Sequence, residues 1–341
     1  MTGRLSILLA LPVVSLFLFG CSDSNGPNAG PDALLAVSGG DDHACLLLQN
    51  GAAHCWGWGG QGQLGPGDTL DYNIPTKVIG GIRFKSISAG SAHTCGLTSN
   101  GTAYCWGGNA VGALGDGNQV FRSKVPVPVV GGLHFRSISA GTGYTCAVTT
   151  SNAGYCWGSG TNGELGNGVE EDQFEPFPVS GGLKFTEIIT SLFHTCGITT
   201  AGAVYCWGDN QWGELGIGSI DNGTTPQQVT GNRTFKSIGL GDFFTCGLTQ
   251  QGKPFCWGSN VSFELGNGST GVRYATEPTS VYGNLTFSSL AVGSVHACGL
   301  SAKGALFCWG ANTYGKLGNG SEAATVVPVA VAGSHKFTAV T

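Results

Sequence analysis

The chain has 341 residues, enough to bury a large core in one β architecture or in two ordinary domains. Gly supplies 60 of them, charged residues make up 10% and apolar residues 41%. Gly costs a helix about 1 kcal/mol per position relative to Ala, so a helical protein is disfavoured, and the apolar content excludes a disordered chain. The net charge of −5 comes without a run of Lys or Arg, so no stretch of the sequence attracts a phosphate backbone.

The first element is a leader. Arg4 is positive, and Leu5 to Phe19 is an apolar run too short to cross a bilayer comfortably as a helix. It closes on Leu18-Phe19-Gly20-Cys21, which resembles a bacterial lipobox. The resemblance implies a lipoprotein-type signal peptide over residues 1–20 and lipidation of Cys21. It also implies that Ser22 directs the product to the outer membrane of a cell envelope. An ordinary secretory signal cleaved nearby is the other reading of this stretch. Residues 21–33 are rich in Gly, Pro, Ser and Asn and read as a flexible tether.

From residue 34 to 341 the sequence repeats. Twelve cysteines fall in six pairs of equal spacing: Cys45 and Cys55, Cys95 and Cys105, Cys146 and Cys156, Cys196 and Cys206, Cys246 and Cys256, Cys298 and Cys308. Each second Cys is followed by Trp-Gly and then by a Gly-rich run that ends in Leu-Gly-x-Gly. Within one period, Phe84 to Ser88, His93 to Thr98 and Thr102 to Trp106 read as strands, and Pro126 to Val130 as an outer edge strand. A four-strand unit recurring about every 50 residues predicts an all-β propeller. Six repeats are complete. Phe337 to Thr341 aligns with the first strand of a repeat, as does Leu34 to Ser38, so a seventh repeat begins at the end of the chain. Two equivalent strands would compete for one closing position. The ends are therefore expected not to share a blade, and the sequence to stop short of a seven-bladed ring.

The cysteine spacing is explained by a hairpin. A three-residue loop Ser99-Asn100-Gly101 needs a left-handed residue at its third position. That position holds Gly51, Gly101, Gly202, Gly252 and Gly304, with Asn152 in the third repeat. This register sets Cys95 opposite Cys105, close enough for a disulfide, and export supplies an oxidising compartment. Zinc is the competing chemistry, because His93 shares a strand face with the two cysteines. The His slot reads His43, His93, Tyr144, His194, Phe244 and His296, which suits an aromatic packing group and not a ligand. Redox catalysis would need an accessible thiol of low pKa in a thioredoxin-like context, which these spacings lack. No metal or cofactor is expected.

Two glycine runs, Gly57 to Gly62 and Gly158 to Gly163, match G-x-G-x-x-G. Without a following helix that motif cannot cradle a pyrophosphate, so close packing between blades is the expected role. The repeat itself (His-Thr-Cys, then Tyr-Cys-Trp-Gly, then Leu-Gly-x-Gly) resembles the regulator of chromosome condensation repeat. The paired cysteines and the leader are similar to an exported bacterial member. The resemblance implies a seven-bladed β-propeller and a wide choice of functions, among them nucleotide exchange on a small GTPase, β-lactamase inhibition and ultraviolet-B sensing. A nuclear exchange role fits an exported chain poorly, and nucleic acid is not an expected partner.

Function must then lie in the parts that do not repeat. The variable stretches after Leu-Gly-x-Gly carry Tyr72, Phe121, Phe174 and Tyr274, and Trp212 and Tyr314 sit five residues after their repeat Trp. Aromatic residues on rigidly held loops suit a protein or glycan interface. The expectation is a non-catalytic, membrane-anchored binding scaffold. An enzyme inhibitor or a propeller enzyme at the cell surface is the alternative, and exchange-factor activity a more remote one. Glu164, Glu214 and Glu264 recur with the repeat and so read as structural.

Overall fold

The computed structural model describes residues 32–340. The predicted signal peptide, Cys21 and most of the predicted tether lie outside the described residues, as does Thr341.

The six repeats fold into six four-stranded antiparallel sheets, each running in chain order from its first strand to its fourth. In the second blade the strands are Phe84–Ala89, His93–Thr98, Ala103–Gly108 and Arg122–Pro128. First strands of successive blades contact one another, which places them innermost, around a common axis. The connections from first to second strand and from third to fourth therefore emerge on one side of the propeller, called here the loop face. The hairpin turns between second and third strands, and the links between blades, lie on the opposite turn face.

The hairpin register is the predicted one. Cys95 faces Cys105, Leu97 faces Ala103, and the Gly101 N–H donates to the Thr98 carbonyl at 2.9 Å. Gly101 takes φ 86° and Asn152 takes φ 69°, so the odd residue of the third repeat adopts the left-handed conformation its glycine counterparts adopt. All six cysteine pairs are bonded, with Cα separations of 4.0–4.1 Å. This is shorter than the expected distance for opposed residues. Alternation from the hydrogen-bonded Thr98–Thr102 pair puts the cysteines at the non-hydrogen-bonded kind of site, where strands approach most closely.

The fourth strand differs from expectation. It begins at Arg122 and ends at Pro128, where Pro126 to Val130 was predicted. Gly107 and Gly108 continue the third strand past Trp106 and pair with Ser123 and Arg122, after a bulge that lets the outer strand start early. Pro126 and Pro128 still lie on the outermost strand, where a missing N–H is tolerated.

The core is formed between sheets. The Cys45, Leu47 and Cys55 face of the first blade packs on Phe84, Ile87 and Trp106 of the second, and this arrangement recurs around the ring. Trp106, Trp157, Trp207, Trp257 and Trp309 are fully buried. Burial of each large apolar side chain contributes about 1.5–3 kcal/mol. Trp56 is only half-buried, because among the described residues no blade packs on its face of the first sheet. Leu34–Gly39 is the inner strand of the first sheet. Phe337 docks instead on the sixth blade: its N–H donates to the Gly304 carbonyl at 2.9 Å, as that of Phe84 does to Gly51 at 2.8 Å. Val340 packs there with Cys298, Leu306 and Leu317. The two ends of the described chain thus belong to different blades.

Each disulfide closes a short loop inside a hairpin that also has its own ladder. Replacing Cys146 and Cys156 together by Ser is expected to lower stability by no more than about 2–3 kcal/mol in urea titration while the blade count persists. Thiol titration of the denatured native chain should find the twelve repeat cysteines oxidised, and free thiols among them would refute the pairing.

Candidate functional site

The loop face rests on a linkage that joins each blade to the next. In the fourth blade the Glu214 carbonyl accepts two hydrogen bonds from the fifth, from Trp257 Nε1 at 2.9 Å and from Thr245 Oγ1 at 2.9 Å. The Glu164 carbonyl takes Trp207 Nε1 at 2.9 Å and Thr195 Oγ1 at 2.8 Å. The Ala113 carbonyl takes Trp157 Nε1 at 3.0 Å and Thr145 Oγ1 at 2.9 Å. The Leu-Gly-x-Gly loop of one blade is thereby pinned by buried donors of its neighbour. Trp106 breaks the pattern: its Nε1 has no partner, while Thr94 still donates to the Gln63 carbonyl at 2.9 Å.

The His slot completes the linkage. His43, His93 and His194 place Nε2 at 2.8, 2.8 and 3.0 Å from Thr94, Thr145 and Thr245 of the following blade. Because each Thr hydroxyl gives its hydrogen to a carbonyl, the imidazole Nε2–H is the donor in this pair. Tyr144 substitutes with its hydroxyl, 3.1 Å from Thr195 Oγ1 and donating to the His194 carbonyl at 2.8 Å. The sequence reading of this slot as aromatic packing is therefore corrected. It is a polar link between blades at His43, His93, Tyr144 and His194, while Phe244 only packs. Burial holds His43 and His296 near pKa 4, and His93 and His194 near 3.

The recurring glutamates are structural, as their periodicity predicted. The Glu214 carboxylate accepts the Trp212 N–H at 2.8 Å and Glu164 that of Asn162 at 2.7 Å. Burial pushes Glu214 up to about 8. The glycine runs are packing devices too. A Cβ at Gly59 would meet the Leu70 carbonyl at 2.0 Å, and one at Gly163 would lie 3.0 Å from Gly223 of the next blade.

On this framework the loop face collects all six aromatic residues proposed from the sequence, because each lies in a third-to-fourth connection or at the start of a fourth strand. They are not equally available. Tyr314 is 92% exposed, Phe121 59% and Tyr274 43%. Tyr72, Phe174 and Trp212 are half-buried, and the Tyr72 hydroxyl donates to Asp68 at 2.9 Å. Buried Asn side chains shape these loops. Asn210 donates to the Ser219 and Asp221 carbonyls and accepts from the Leu215 N–H, and Asn260 and Asn312 repeat the arrangement.

Sequence reasoning missed the inner ring of this face. The short connections before the His slot end in Asp41-Asp42, Leu192-Phe193, Asp242-Phe243 and Ser294-Val295. The rings of Phe193 and Phe243 lie 6.5 Å apart on neighbouring blades. Asp242 is raised above the usual carboxylate range, first by burial and further by the charge of Asp41 from another blade. The space among Gly40, Asp41, Ser91, Thr142 and Ser191 is about 10 Å³, room for a single water. The signal was a non-repeating dipeptide directly ahead of a repeating slot.

The RCC1-like domain (WD40_RLD) pattern matches residues 25–341. The ultraviolet-B receptor UVR8 of Arabidopsis thaliana is 29% identical over 148 residues, which are 42% of this chain and 33% of the receptor. The chain thus matches about a third of the length of that relative. Among solved structures, Prp20p of Saccharomyces cerevisiae, described together with its binding to Gsp1p and histones, superposes with a TM-score of 0.79 at 22% identity. That match covers 89% of this chain and 77% of Prp20p. Human WBSCR16 gives a TM-score of 0.79 at 19% identity, over 89% and 83% of the two chains.

Two measurements test the linkage. Trp207→Phe is expected to lose about 1 kcal/mol more stability than Trp106→Phe, because only the first removes a satisfied indole donor. Equal losses would show that the carbonyl bond contributes nothing. Unfolded histidines protonate near 6.5 and the buried ones only near 3–4. Their contribution is therefore complete above about 6.5 and is lost as pH falls towards 3–4. The buried Glu214 works in the opposite sense, its contribution fading as pH rises through about 8. The double variant His93→Phe, His194→Phe should flatten the acid limb of a urea-midpoint profile. A slope identical to that of the native chain would refute this assignment.

Proposed function

The chain belongs to the RCC1-like domain family, and from that premise we propose that it is a non-catalytic binding scaffold, exported and held at a membrane through lipidated Cys21. Its loop face receives a protein partner. The observation that carries this reading is the division of labour within each repeat. Buried histidine, threonine and tryptophan side chains tie the blades together, while the segments that differ between repeats share one face and carry the exposed aromatic residues. Side chains on a rigid support lose little freedom on binding, which favours affinity. Phe121, Tyr274 and Tyr314 are the anchors of choice, with Phe193, Phe243 and Trp58 nearer the axis.

Prp20p, with the same fold, binds Gsp1p and histones, which supports a protein as the partner class. A glycan is the second ligand class that exposed aromatics on such loops suit. Among the described residues no helix is long and apolar enough to cross a membrane, so in this reading the anchor is the lipid. The mature chain with Phe121, Tyr274 and Tyr314 changed to Ala is expected to recover at least tenfold less partner than the native chain in pull-down from envelope extracts. Equal recovery by the two would remove this face as the binding site.

A further inference from the structure

The charges that look scattered in the sequence are segregated by the fold. Every Lys and Arg among the described residues lies at the turn-face end of its strand or in a turn-face connection, except Arg122, Lys124, Arg273 and Lys316. Carboxylates show the reverse distribution. Of those in the described residues, Asp32 and Glu187 lie towards the turn face, and the others sit on the loop face or its rim. The cause is positional. The residues on either side of the inner Phe of each first strand are basic in most blades, as in Arg83 and Lys85 around Phe84, or Lys184 before Phe185.

Arg83 and Arg136 are held by hairpin-turn residues, and Lys236 by the entry to the first strand of the next blade. Arg83 donates to the Asn50 carbonyl, Arg136 to Asn152 Oδ1 at 2.7 Å, and Lys236 to the Ser288 carbonyl at 3.0 Å. Neutral acceptors position the cations without cancelling their charge. Glu187 stands beside Arg136, and burial raises its pKa to about 7. Arg83, Lys85, Arg136, Lys184 and Lys236 are exposed and recur from blade to blade, so the positive charge is spread across the disc. A shallow groove of about 220 Å³ between Lys236, Gln251 and Ser288 opens on the same side.

We infer that the turn face is a membrane-apposed surface that docks on anionic phospholipid headgroups, leaving the acidic loop face turned towards solvent and its partner. Two observations select lipid over other polyanions. The positive charge is spread over successive blades and not gathered in one cleft that would follow a strand. In addition, the chain enters the propeller at Leu34, on the turn face, so the residues leading back to Cys21 leave from the basic side. This rests on the anchored-scaffold reading for its setting. The electrostatic attraction itself needs only the face: a basic surface near an anionic leaflet is held by it, within a Debye length.

The test is a lysine-acetylation footprint on the full chain and on its Cys21→Ser variant. Each is incubated with vesicles of phosphatidylcholine alone, or of phosphatidylcholine and phosphatidylglycerol at about three to one. With phosphatidylglycerol at low salt, Lys85, Lys184 and Lys236 should label at least about fivefold more slowly than without it, while Lys124 and Lys316 on the loop face label unchanged. The protection should vanish in about 0.5 M salt. It should also vanish in the triple variant Lys85→Glu, Arg136→Glu, Lys236→Glu, judged by slower labelling no longer appearing at Lys184. Retained disulfides and an unchanged urea midpoint certify that the variant is folded. Equal labelling of both faces overturns the inference, as does protection by duplex DNA or a sulfated polysaccharide but not by the anionic vesicles. If mass spectrometry finds no acyl group on Cys21, the anchor fails, and the Cys21→Ser arm still decides whether the face binds lipid.

Discussion

The molecule depends on one carbonyl per blade. The Leu-Gly-x-Gly loops turn the carbonyl of the residue before their Leu towards the neighbouring blade. On Ala113, Glu164 and Glu214 an indole and a threonine hydroxyl of that neighbour converge, while Gln63 receives the threonine alone and Glu264 the indole alone. Sheets that share no strand have only side-chain packing to fix their relative angle. Hydrophobic contact is non-directional, whereas two donors aimed at one oxygen set a register. The glycines around the loop let the backbones come close enough for this, and the imidazole of the preceding slot holds the threonine from the other side. Shape, spacing and polarity are thus decided in the same few atoms.

This arrangement frees the loop surface. None of the linking groups faces solvent, and their positions are set by the repeat, so the intervening residues can differ from blade to blade without altering the support. That is why aromatic and acidic residues accumulate in the third-to-fourth connections while the strands stay uniform. The opposite face is built by another economy. Basic residues beside the inner Phe of most blades hydrogen-bond neutral oxygens of that face and at the same time give it its sign.

Much of the fold was legible because it is periodic. The Gly or Asn at the third hairpin position specifies the turn, the turn specifies the register, and the register places Cys opposite Cys. Phe337 and Leu34 could be recognised as equivalent because the segments they open both align with Phe84 to Ser88. What periodicity does not encode is direction across the blades. The His slot read as packing because Tyr and Phe also occupy it, and only the neighbouring threonine hydroxyl at 2.8 Å reveals a donor. Nor could a linear reading see that lysines fifty residues apart lie side by side on one face. The candidate site was half visible: the aromatic residues were placed correctly on the segments that differ between repeats, but the half-burial of Tyr72, Phe174 and Trp212 is a tertiary property that a linear pattern does not carry. Phe193 and Phe243 were passed over because each belongs to a connection of only three residues.

The paired sulfurs are shut in between sheets, with the cysteines of the first five blades wholly without solvent exposure. A small-molecule reductant must reach a sulfur atom directly, and here the disulfides are packed beneath phenylalanine, isoleucine and tryptophan of the adjoining blade. Thiol exchange therefore waits until blades separate. In this architecture the bonds are guarded by the same assembly they brace, and loss of the fold comes before loss of the cross-links.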